Sequence, residues 1–330
     1  MNQHMPSPEK ITRLATGGWA SAALAAAVSH AVFTHIDKGC RTVDEIAHAA
    51  GISPRGTRAL LDGLVSVGLL SVDGQRYQNS PEAAEYLVEG KMAYFGGFAK
   101  FCGEDLAHWA ELPAVVKSGV PVEDVNIDEN PFWEELVLSI APMSFPMAQA
   151  AAAHLRIAEA GPIAILDVGG GSGVYSAVLL SKNAQATSTQ LDWANVNRVA
   201  RSYVASRGVA ERFDTLDGDF HKVEIPQARY DVIIYSHIAH SEPPEENVKI
   251  FGKLRQSLKD GGTLVVVDFV QADDRSGPSF ALLFHLNMLL HTHGGATYRK
   301  SDYRAWLEQA GFRKIEIEST EGPASLVFAC

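Results

Sequence analysis

Glycines occupy positions 169, 170, 171 and 173 of this chain, directly after a short apolar run that contains Asp167. The pattern is D-x-G-x-G-x-G. Glycine tolerates positive φ angles and lets a backbone approach a ligand closely, while a helix N-terminus presents unpaired N–H groups. The segment therefore predicts a strand that turns sharply into a helix, with a ligand held at the turn.

The chemistry of this turn narrows the class of ligand. The dinucleotide fingerprint is G-x-G-x-x-G, whereas Gly169, Gly171 and Gly173 stand at every second position. An acid at the strand end would repel a pyrophosphate but suits a ligand with an ammonium or sulfonium group. Asp167 and these three glycines are therefore predicted to bind a positively charged nucleoside, S-adenosylmethionine (SAM).

The C-terminal half, from residue 161, alternates Val- and Ile-rich runs with amphipathic segments, which is typical of βαβ units around a parallel sheet. The segment 260–262 (Asp-Gly-Gly) is expected to end a helix, and a hairpin is expected to close the chain. The predicted fold is α/β, with five parallel strands plus a C-terminal antiparallel hairpin. Strands are predicted at 164–168, 187–191, 213–217, 230–236 and 263–269, helices at 173–182, 195–207, 245–259, 279–291 and 301–310, and the hairpin at 312–319 and 324–329.

Polar residues follow the later strands. Asp192 ends the second strand, where a carboxylate can accept hydrogen bonds from ribose hydroxyls, although it could instead cap the next helix. Asp219 and Phe220 follow the third strand. Asp219 could accept a hydrogen bond from the adenine amino group while Phe220 packs on the adenine ring, or the two residues could form a plain turn. Ser236 ends the fourth strand. All four are predicted to contact the cofactor.

The first 90 residues are predicted to form a mostly α-helical winged-helix domain. One long helix is expected over 11–36, a second after the capping box of Thr42 and Glu45, a third after Ser53, and then a hairpin around 73–74. This region contains seven Lys/Arg and nine Asp/Glu, so dimerisation is favoured over DNA binding. Residues 91–160 are predicted to be a helical connector with a loop at 118–131, and 161–330 the SAM-binding domain. Met143 and Met147 of the connector could cover a pocket for a flat ligand.

Composition excludes several classes of partner. The formal net charge of −11 argues against nucleic acid, whose phosphates need a basic face. The three cysteines have no regular spacing and are expected to be free thiols in a reducing cytoplasm. No signal peptide or membrane span is expected. His285, His291 and His293 lack the spacing of metal ligands, and no metal is expected.

The motifs at 166–173, Asp192, 218–220, 235–240 (Tyr-Ser-His-Ile-Ala-His) and 260–264 occur together in this order. In this combination the chain resembles the SAM-dependent small-molecule O-methyltransferases of plants and of bacterial natural-product pathways, such as the caffeate and hydroxyindole enzymes. The resemblance implies a class I methyltransferase sheet, a homodimer formed through the N-terminal domain, and a small-molecule acceptor. It also implies that His240 is the general base, that Asp268 supports it, and that Asn287 and Met288 line the acceptor pocket.

The chain departs from this family at two places. After His240 the family has a polar residue and a Trp, whereas this chain has Ser-Glu-Pro-Pro at 241–244. A second supporting acid is replaced by Ala-Thr-Tyr at 296–298. Alternatives therefore stay open: methyl transfer to carbon or nitrogen, a SAM-binding member that catalyses cyclisation, decarboxylation or hydroxylation, or, from another class, a winged-helix regulator.

Overall fold

A computed structural model describes residues 7–123, 125, 130–320 and 322–330. By its packing the chain divides into two compact units, Met1–Ala110 and Glu111–Cys330. Each unit has its own hydrophobic core, and the site described below lies entirely within the second unit.

The first unit consists of helices and one hairpin. Thr42 and Glu45 form the expected capping box, in which each side chain accepts the other residue's backbone N–H. The hairpin pairs antiparallel, with Asp73 opposite Arg76, so its two-residue turn is one position later than expected. The winged-helix assignment itself stays a prediction. The elements are α1 (Glu9–Ala15), α2 (Gly17–Ser29), α3 (Val32–Asp37), α4 (Val43–Ala50), α5 (Pro54–Ser66), β1 (Leu70–Asp73), β2 (Arg76–Asn79), α6 (Pro81–Tyr86), α7 (Gly96–Glu104) and α8 (Leu106–Trp109).

The single long helix expected over 11–36 is wrong, because the chain breaks there into α1, α2 and α3. Thr16 separates the first two helices just before Gly17 and Gly18, and glycine is a poor helix former. Ala31 then adopts a left-handed conformation with φ of 49°, which ends the helical path before α3. The apolar composition of this segment predicts one continuous helix and does not indicate these breaks.

The second unit contains the parallel sheet. Its helices are α9 (Leu112–Ser118), α10 (Phe132–His154), α11 (Val174–Lys182), α12 (Ala194–Ser206), α13 (Pro244–Ser257), α14 (Ser279–His291) and α15 (Lys300–Gln309). Its strands are β3 (Ala164–Val168), β4 (Thr187–Asp192), β5 (Phe213–Asp217), β6 (Tyr230–Ser236), β7 (Leu258–Asp268), β8 (Ile315–Ser319) and β9 (Ser325–Ala329). Short 3₁₀ turns cover Ile157–Glu159, Ala210–Arg212 and Ala239–Ser241.

The sheet has seven strands in the order β5-β4-β3-β6-β7-β9-β8. Strands β3 to β7 run parallel, while β9 pairs antiparallel with β7 and β8 antiparallel with β9. The predicted parallel sheet with a closing hairpin is therefore confirmed. The strand order reverses between β3 and β6, and ligands of open α/β sheets bind at such a switch point.

The Asp-Gly-Gly segment at 260–262 does not end the preceding helix. Helix α13 already ends at Ser257, and β7 begins at Leu258, so the segment lies inside the strand. The pairing of β6 with β7 shifts register between Tyr230 and Val232, and Gly261 adopts a φ of +78°. The glycines thus accommodate an irregularity at the start of β7.

Alternating side chains of the strands supply two cores, one on each face of the sheet. Ile165 and Ile234 belong to the core with α10 and α11, whereas Leu166 and Ile233 belong to the core with α13 and α15. This double-sided burial explains the nearly continuous Val and Ile runs in the sequence.

Helix α10 is long and apolar enough, by length and composition alone, to cross a membrane. The core helix of a globular protein passes the same test, and α10 contributes Ala148, Ala151 and Ala152 to the core under the sheet. The helix also contains Pro142 and Pro146.

Candidate active site

A cavity of about 250 Å³ lies at the carboxyl ends of the parallel strands. Its wall is built from the turn after β3, the ends of β4 and β6, the segment after β5, and the first turns of α10. These are the strand ends that meet at the switch in strand order. The site-forming residues are thus far apart in the chain and close together in space.

The glycine turn forms the floor of this cavity. Gly169 and Gly171 line it and have φ angles of +62° and +57°, which favour glycine. A Cβ atom on Gly169 would lie 2.5 Å from the Cδ1 atom of Ile238, and one on Gly170 would lie 2.5 Å from the Oε1 atom of Gln190. A larger residue therefore cannot occupy either position without displacing its neighbours.

Asp192 faces the cavity from the end of β4. Its carboxylate accepts the N–H of Gly171 at 2.9 Å and that of Trp193 at 2.8 Å. Trp193 is itself the N-cap residue of α12, so Asp192 is not the helix cap that the sequence left open. Burial raises the pKa of Asp192 to about 7, against the two N–H donors, which lower it.

Asp219, Phe220 and Ser236, which the sequence predicts to contact the cofactor, also line the cavity. Asp219 accepts the backbone N–H of His221 at 2.9 Å and forms an ion pair with Lys222 at 3.0 Å. Burial alone would raise the pKa of Asp219, but these partners hold it below its usual value. The residue thus makes a turn and presents an ionised carboxylate to the cavity.

Asp167 and Gly173 do not reach the cavity wall. Asp167 is fully buried under the turn and accepts the N–H and hydroxyl of Ser176, at 3.2 and 2.7 Å, which anchors the start of α11. Burial raises the pKa of Asp167 to about 6. Gly173 is the N-cap of α11, where a Cβ atom would lie 3.0 Å from Val204. Both residues shape the turn from behind.

His240 and Asp268 form a buried pair next to the cavity. Nδ1 of His240 lies 2.6 Å from Oδ1 of Asp268, and the backbone N–H of His240 donates to Oδ2 at 2.9 Å. Asp268 ends β7, and His240 lies in the short turn that follows β6. Neighbouring parallel strands therefore hold the two residues, and residues 236–238 and 241–242 around His240 line the cavity.

Asp268 is kept ionised by its surroundings. It also accepts the hydroxyl of Tyr303 at 2.9 Å and the N–H of Phe269 at 2.7 Å. Burial alone would raise the pKa of Asp268, but the imidazole of His240 and the N–H of Phe269 hold it below its usual value. Nε2 of His240 has no hydrogen-bond partner among the residues that the structure describes.

The residues predicted for an acceptor pocket lie elsewhere. Met147 is buried in the core under the sheet, and Met143 packs against the same core. Met288 is buried in α14, and Asn287 precedes it there. The structure does not bring these four residues to the cavity wall, so their role in acceptor binding stays a prediction.

Several cavity residues were missed in the sequence. His221 and Glu242 both line the cavity, and Nε2 of His221 lies 3.1 Å from Oε1 of Glu242. The hydrogen bond to Glu242 raises the pKa of His221. Glu242 belongs to the segment that departs from the family pattern, which was the available signal. His237 and Trp193 also line the cavity, and each directly follows a residue that the sequence had singled out.

The parallel sheet with its closing antiparallel hairpin and a cavity beside the glycine turn is the architecture of the class I methyltransferases. Residues 154–313 match the family model of the O-methyltransferase domain, and residues 12–89 match the O-methyltransferase dimerisation domain. The 3-hydroxy-5-methyl-1-naphthoate 3-O-methyltransferase of Streptomyces sahachiroi is 30% identical over 329 residues, which cover 96% of this chain and 93% of that relative. The chain belongs to the O-methyltransferase family, and it is a SAM-dependent O-methyltransferase.

Solved structures support the same fold. A Nostoc punctiforme protein described as an O-methyltransferase is 26% identical, with a TM-score of 0.90 over 98% of this chain and 99% of that chain. Human N-acetylserotonin methyltransferase in complex with SAM is 22% identical, with a TM-score of 0.87 over 100% and 99% of the two chains. The cofactor of the family is SAM, in agreement with the ligand predicted from the glycine turn.

Proposed function

We propose that this enzyme methylates a hydroxyl group of a small aromatic acceptor, a phenol, with His240 as the general base. The observation that carries this proposal is the 2.6 Å contact between His240 and the ionised Asp268 beside the cavity. The naphthoate relative is named for the 3-O-methylation of a hydroxynaphthoate, which supports an aromatic acceptor.

The residues of the cavity fit SAM. Asp192 offers a carboxylate for the ribose hydroxyls, and Asp219 and Phe220 offer an acceptor and a ring face for the adenine. The turn at Gly169 has no room for a Cβ atom, so the backbone itself forms this part of the wall. When bound, SAM supplies a sulfonium methyl group, which passes to the acceptor oxygen as the C–S bond breaks and the O–C bond forms.

His240 removes the acceptor's proton in this proposal. Because Asp268 holds Nδ1–H, Nε2 is left with its lone pair to accept a proton from the hydroxyl. Asp268 then stabilises the imidazolium that results, as a carboxylate does behind the histidine of other acid–base sites. The proton thus moves from the acceptor oxygen to Nε2 while Asp268 keeps its charge.

The transfer of a phenol's proton to a histidine is unfavourable in water. An ordinary histidine has a pKa of ~6.5 and an ordinary phenol one of ~10, a mismatch of ~3.5 units or ~5 kcal/mol for complete transfer. The positive charge of a nearby sulfonium favours the phenolate and so narrows this gap.

The enzyme is further proposed to act as a cytoplasmic homodimer. The chain carries the family's dimerisation domain. In that region Ile11, Leu14 and Trp19 are 71%, 71% and 75% exposed, and a patch of large apolar side chains is a typical surface for a partner. A second copy covering α1 and α2 would bury them.

The proposal is tested with SAM that carries a labelled methyl group and a panel of phenols, aryl amines and activated aromatic carbons. We expect the label to appear on oxygen of one or more phenols, as identified by mass spectrometry of the product. Label on carbon or nitrogen alone would contradict the proposed acceptor. Tight SAM binding without transfer to any acceptor would contradict methyl transfer.

A further inference from the structure

His237 occupies a strained position at the rim of the catalytic site. It directly follows β6 and lines the cavity together with Gly169 and Ser236. Its φ of +56° lies in the left-handed region, which non-glycine residues rarely adopt, and its N–H donates to the carbonyl of Val267 at 2.7 Å. Such strain persists only where surrounding structure enforces it, and it clusters at functional sites.

The imidazole of His237 has an unmet hydrogen-bonding capacity. Both ring nitrogens are buried, and neither has a hydrogen-bond partner among the residues that the structure describes. Buried polar atoms nearly always have a hydrogen-bond partner. The two unpaired nitrogens at the cavity wall therefore indicate that a bound ligand supplies a partner. The ring packs instead against Phe269, at 4.8 Å between ring centroids.

His237 also lies next to the proposed base. The ring centroids of His237 and His240 are 6.3 Å apart, and Phe269 contacts both rings. One ring nitrogen from each histidine and a carboxylate oxygen of Asp268 lie within 4.8 Å of one another. Two hydrogen bonds of ~2.9 Å that share one oxygen can span nitrogens ~5.8 Å apart. Because the ring centroids are 6.3 Å apart, a turn of the His237 ring can bring one of its nitrogens within that span of Nε2 of His240.

The charge of His237 differs from that of an ordinary histidine. Burial lowers the pKa of His237 to about 4, although the nearby Asp268 acts in the opposite direction. The imidazole is therefore neutral at neutral pH and has one N–H donor to offer. A neutral donor can stabilise a developing oxyanion without competing with His240 for the proton.

We propose that His237 is a second catalytic histidine, whose ring N–H donates a hydrogen bond to the acceptor oxygen that His240 deprotonates. This inference rests on the proposed O-methylation with His240 as base. The hydrogen bond forms as the acceptor enters and the ring turns about its side-chain torsions, since catalytic hydrogen bonds often tighten only with substrate in place. Its effect is to make the bound hydroxyl more acidic.

His237, His240 and Asp268 could also be considered as metal ligands. Both oxygens of Asp268 already accept hydrogen bonds, from His240, Phe269 and Tyr303. A metal ion on this carboxylate would have to displace some of these donors. The geometry therefore favours a hydrogen-bonding role for His237. Measuring the activity in the presence of a metal chelator distinguishes this role from metal binding.

The test compares wild type with His237→Gly and His237→Asn. Glycine removes the ring and suits the positive φ, and asparagine also tolerates that conformation while restoring an N–H donor. We measure kcat for a series of phenols whose acidity ranges from a pKa of ~10 to ~7. His237→Gly is expected to lower kcat roughly 10²-fold for the least acidic phenol and little for the most acidic, with partial rescue in His237→Asn.

The first control is the S-adenosylhomocysteine (SAH) affinity of each variant, which shows whether His237, as a residue of the cavity wall, also contacts the cofactor. The second control is the activity of wild type in EDTA, which is expected to be unchanged. An equal loss of rate for all phenols, or none, would overturn the role of His237 while an active wild type upholds O-methylation. A loss of SAH affinity that matches the loss of rate would overturn it in favour of a cofactor contact. Loss of activity in EDTA, restored by zinc, would overturn it in favour of a metal site. A wild type that methylates no phenol would overturn both proposals.

Discussion

Three buried carboxylates near the carboxyl ends of β3, β4 and β7 show how local surroundings set the charge of one residue type. Burial raises the pKa of Asp167 to about 6 and that of Asp192 to about 7. Asp268 is also buried, yet the imidazole of His240 and the backbone N–H of Phe269 hold its pKa below the usual value. Of the three, only Asp268 has a histidine as a hydrogen-bond partner. This contact suits Asp268 to support a general base.

Asp192 gives a prediction about pH. Because its pKa is raised to about 7, a growing fraction of Asp192 is protonated as the pH falls below 7. Ribose hydroxyls bind the carboxylate form better, so SAH affinity should fall below pH 7 by up to ~10-fold per unit and level off above it. Calorimetric titration with SAH between pH 5.5 and 8.5 measures this.

The matched control is Asp192→Asn, which keeps the shape but cannot ionise. We expect it to bind SAH more weakly than wild type at pH 8 and with no comparable slope. Wild-type affinity in the variant, or a flat profile in the wild type, would show that Asp192 serves only the local hydrogen bonds to Gly171 and Trp193.

At the scale of elements, the turn between β3 and α11 is the part of the fold most dependent on its residue types. Gly169, Gly171 and Gly173 all have positive φ, and the backbone of this turn forms the cavity floor. Strand β3 has β4 and β6 as its two neighbours, so the turn opens where their ends diverge. Sequence, turn geometry and ligand site coincide here.

Substituting Gly169 separates backbone strain from damage to the cavity. Gly169→Ala meets both a positive φ and Ile238 at 2.5 Å, whereas Gly208→Ala meets a positive φ with no atom within 4 Å. Each change should cost about 1–2 kcal/mol of unfolding free energy from strain, with more for Gly169→Ala. Only Gly169→Ala should lower SAH affinity. Thermal unfolding and calorimetry check this, and equal SAH binding by both variants would refute it.

The elements also show what a sequence can predict. Strands β3 and β6 match their predicted bounds because burial on both faces leaves nearly continuous apolar runs. The edge strand β5 also matches its predicted bounds, although its residues are only partly buried. The Asp-Gly-Gly segment misled because glycines serve strand irregularities as well as helix ends. The expected helix over 11–36 was wrong for two reasons. Its apolar composition outweighed the glycines that follow the break at Thr16, and the break at Ala31 depends on a left-handed backbone conformation that an alanine does not indicate.

At the scale of the whole molecule, the two units carry different tasks. The second unit contains the complete cavity and the His–Asp pair, while the first matches the family's dimerisation domain. The positions of Asp192, Asp219 and Phe220 on the cavity wall were predictable because these residues follow the strands in a fixed order. His237, His221 and Glu242 were not, since their roles depend on which side chains the fold leaves unpaired or brings together across the cavity.

The proposed homodimer is tested by its mass in solution. Wild type should sediment at about twice the 35.6 kDa of one chain. Trp19→Glu, on the exposed apolar patch of α2, should shift the population toward monomer, because a charge there would be desolvated on association. Val72→Glu, at an exposed position on the hairpin, is the control and should leave the mass unchanged. A monomeric wild type at micromolar concentration would contradict the proposal.

The most direct test of the proposed chemistry is the turnover of His240→Ala with a phenol that the wild type methylates, at saturating SAM. Removing the base should lower kcat by ~10²–10⁴-fold, while SAH affinity stays at the wild-type value because His240 lies outside the wall of the cofactor cavity. A kcat close to that of the wild type would show that His240 is not the base and that the His240–Asp268 pair does not carry the reaction.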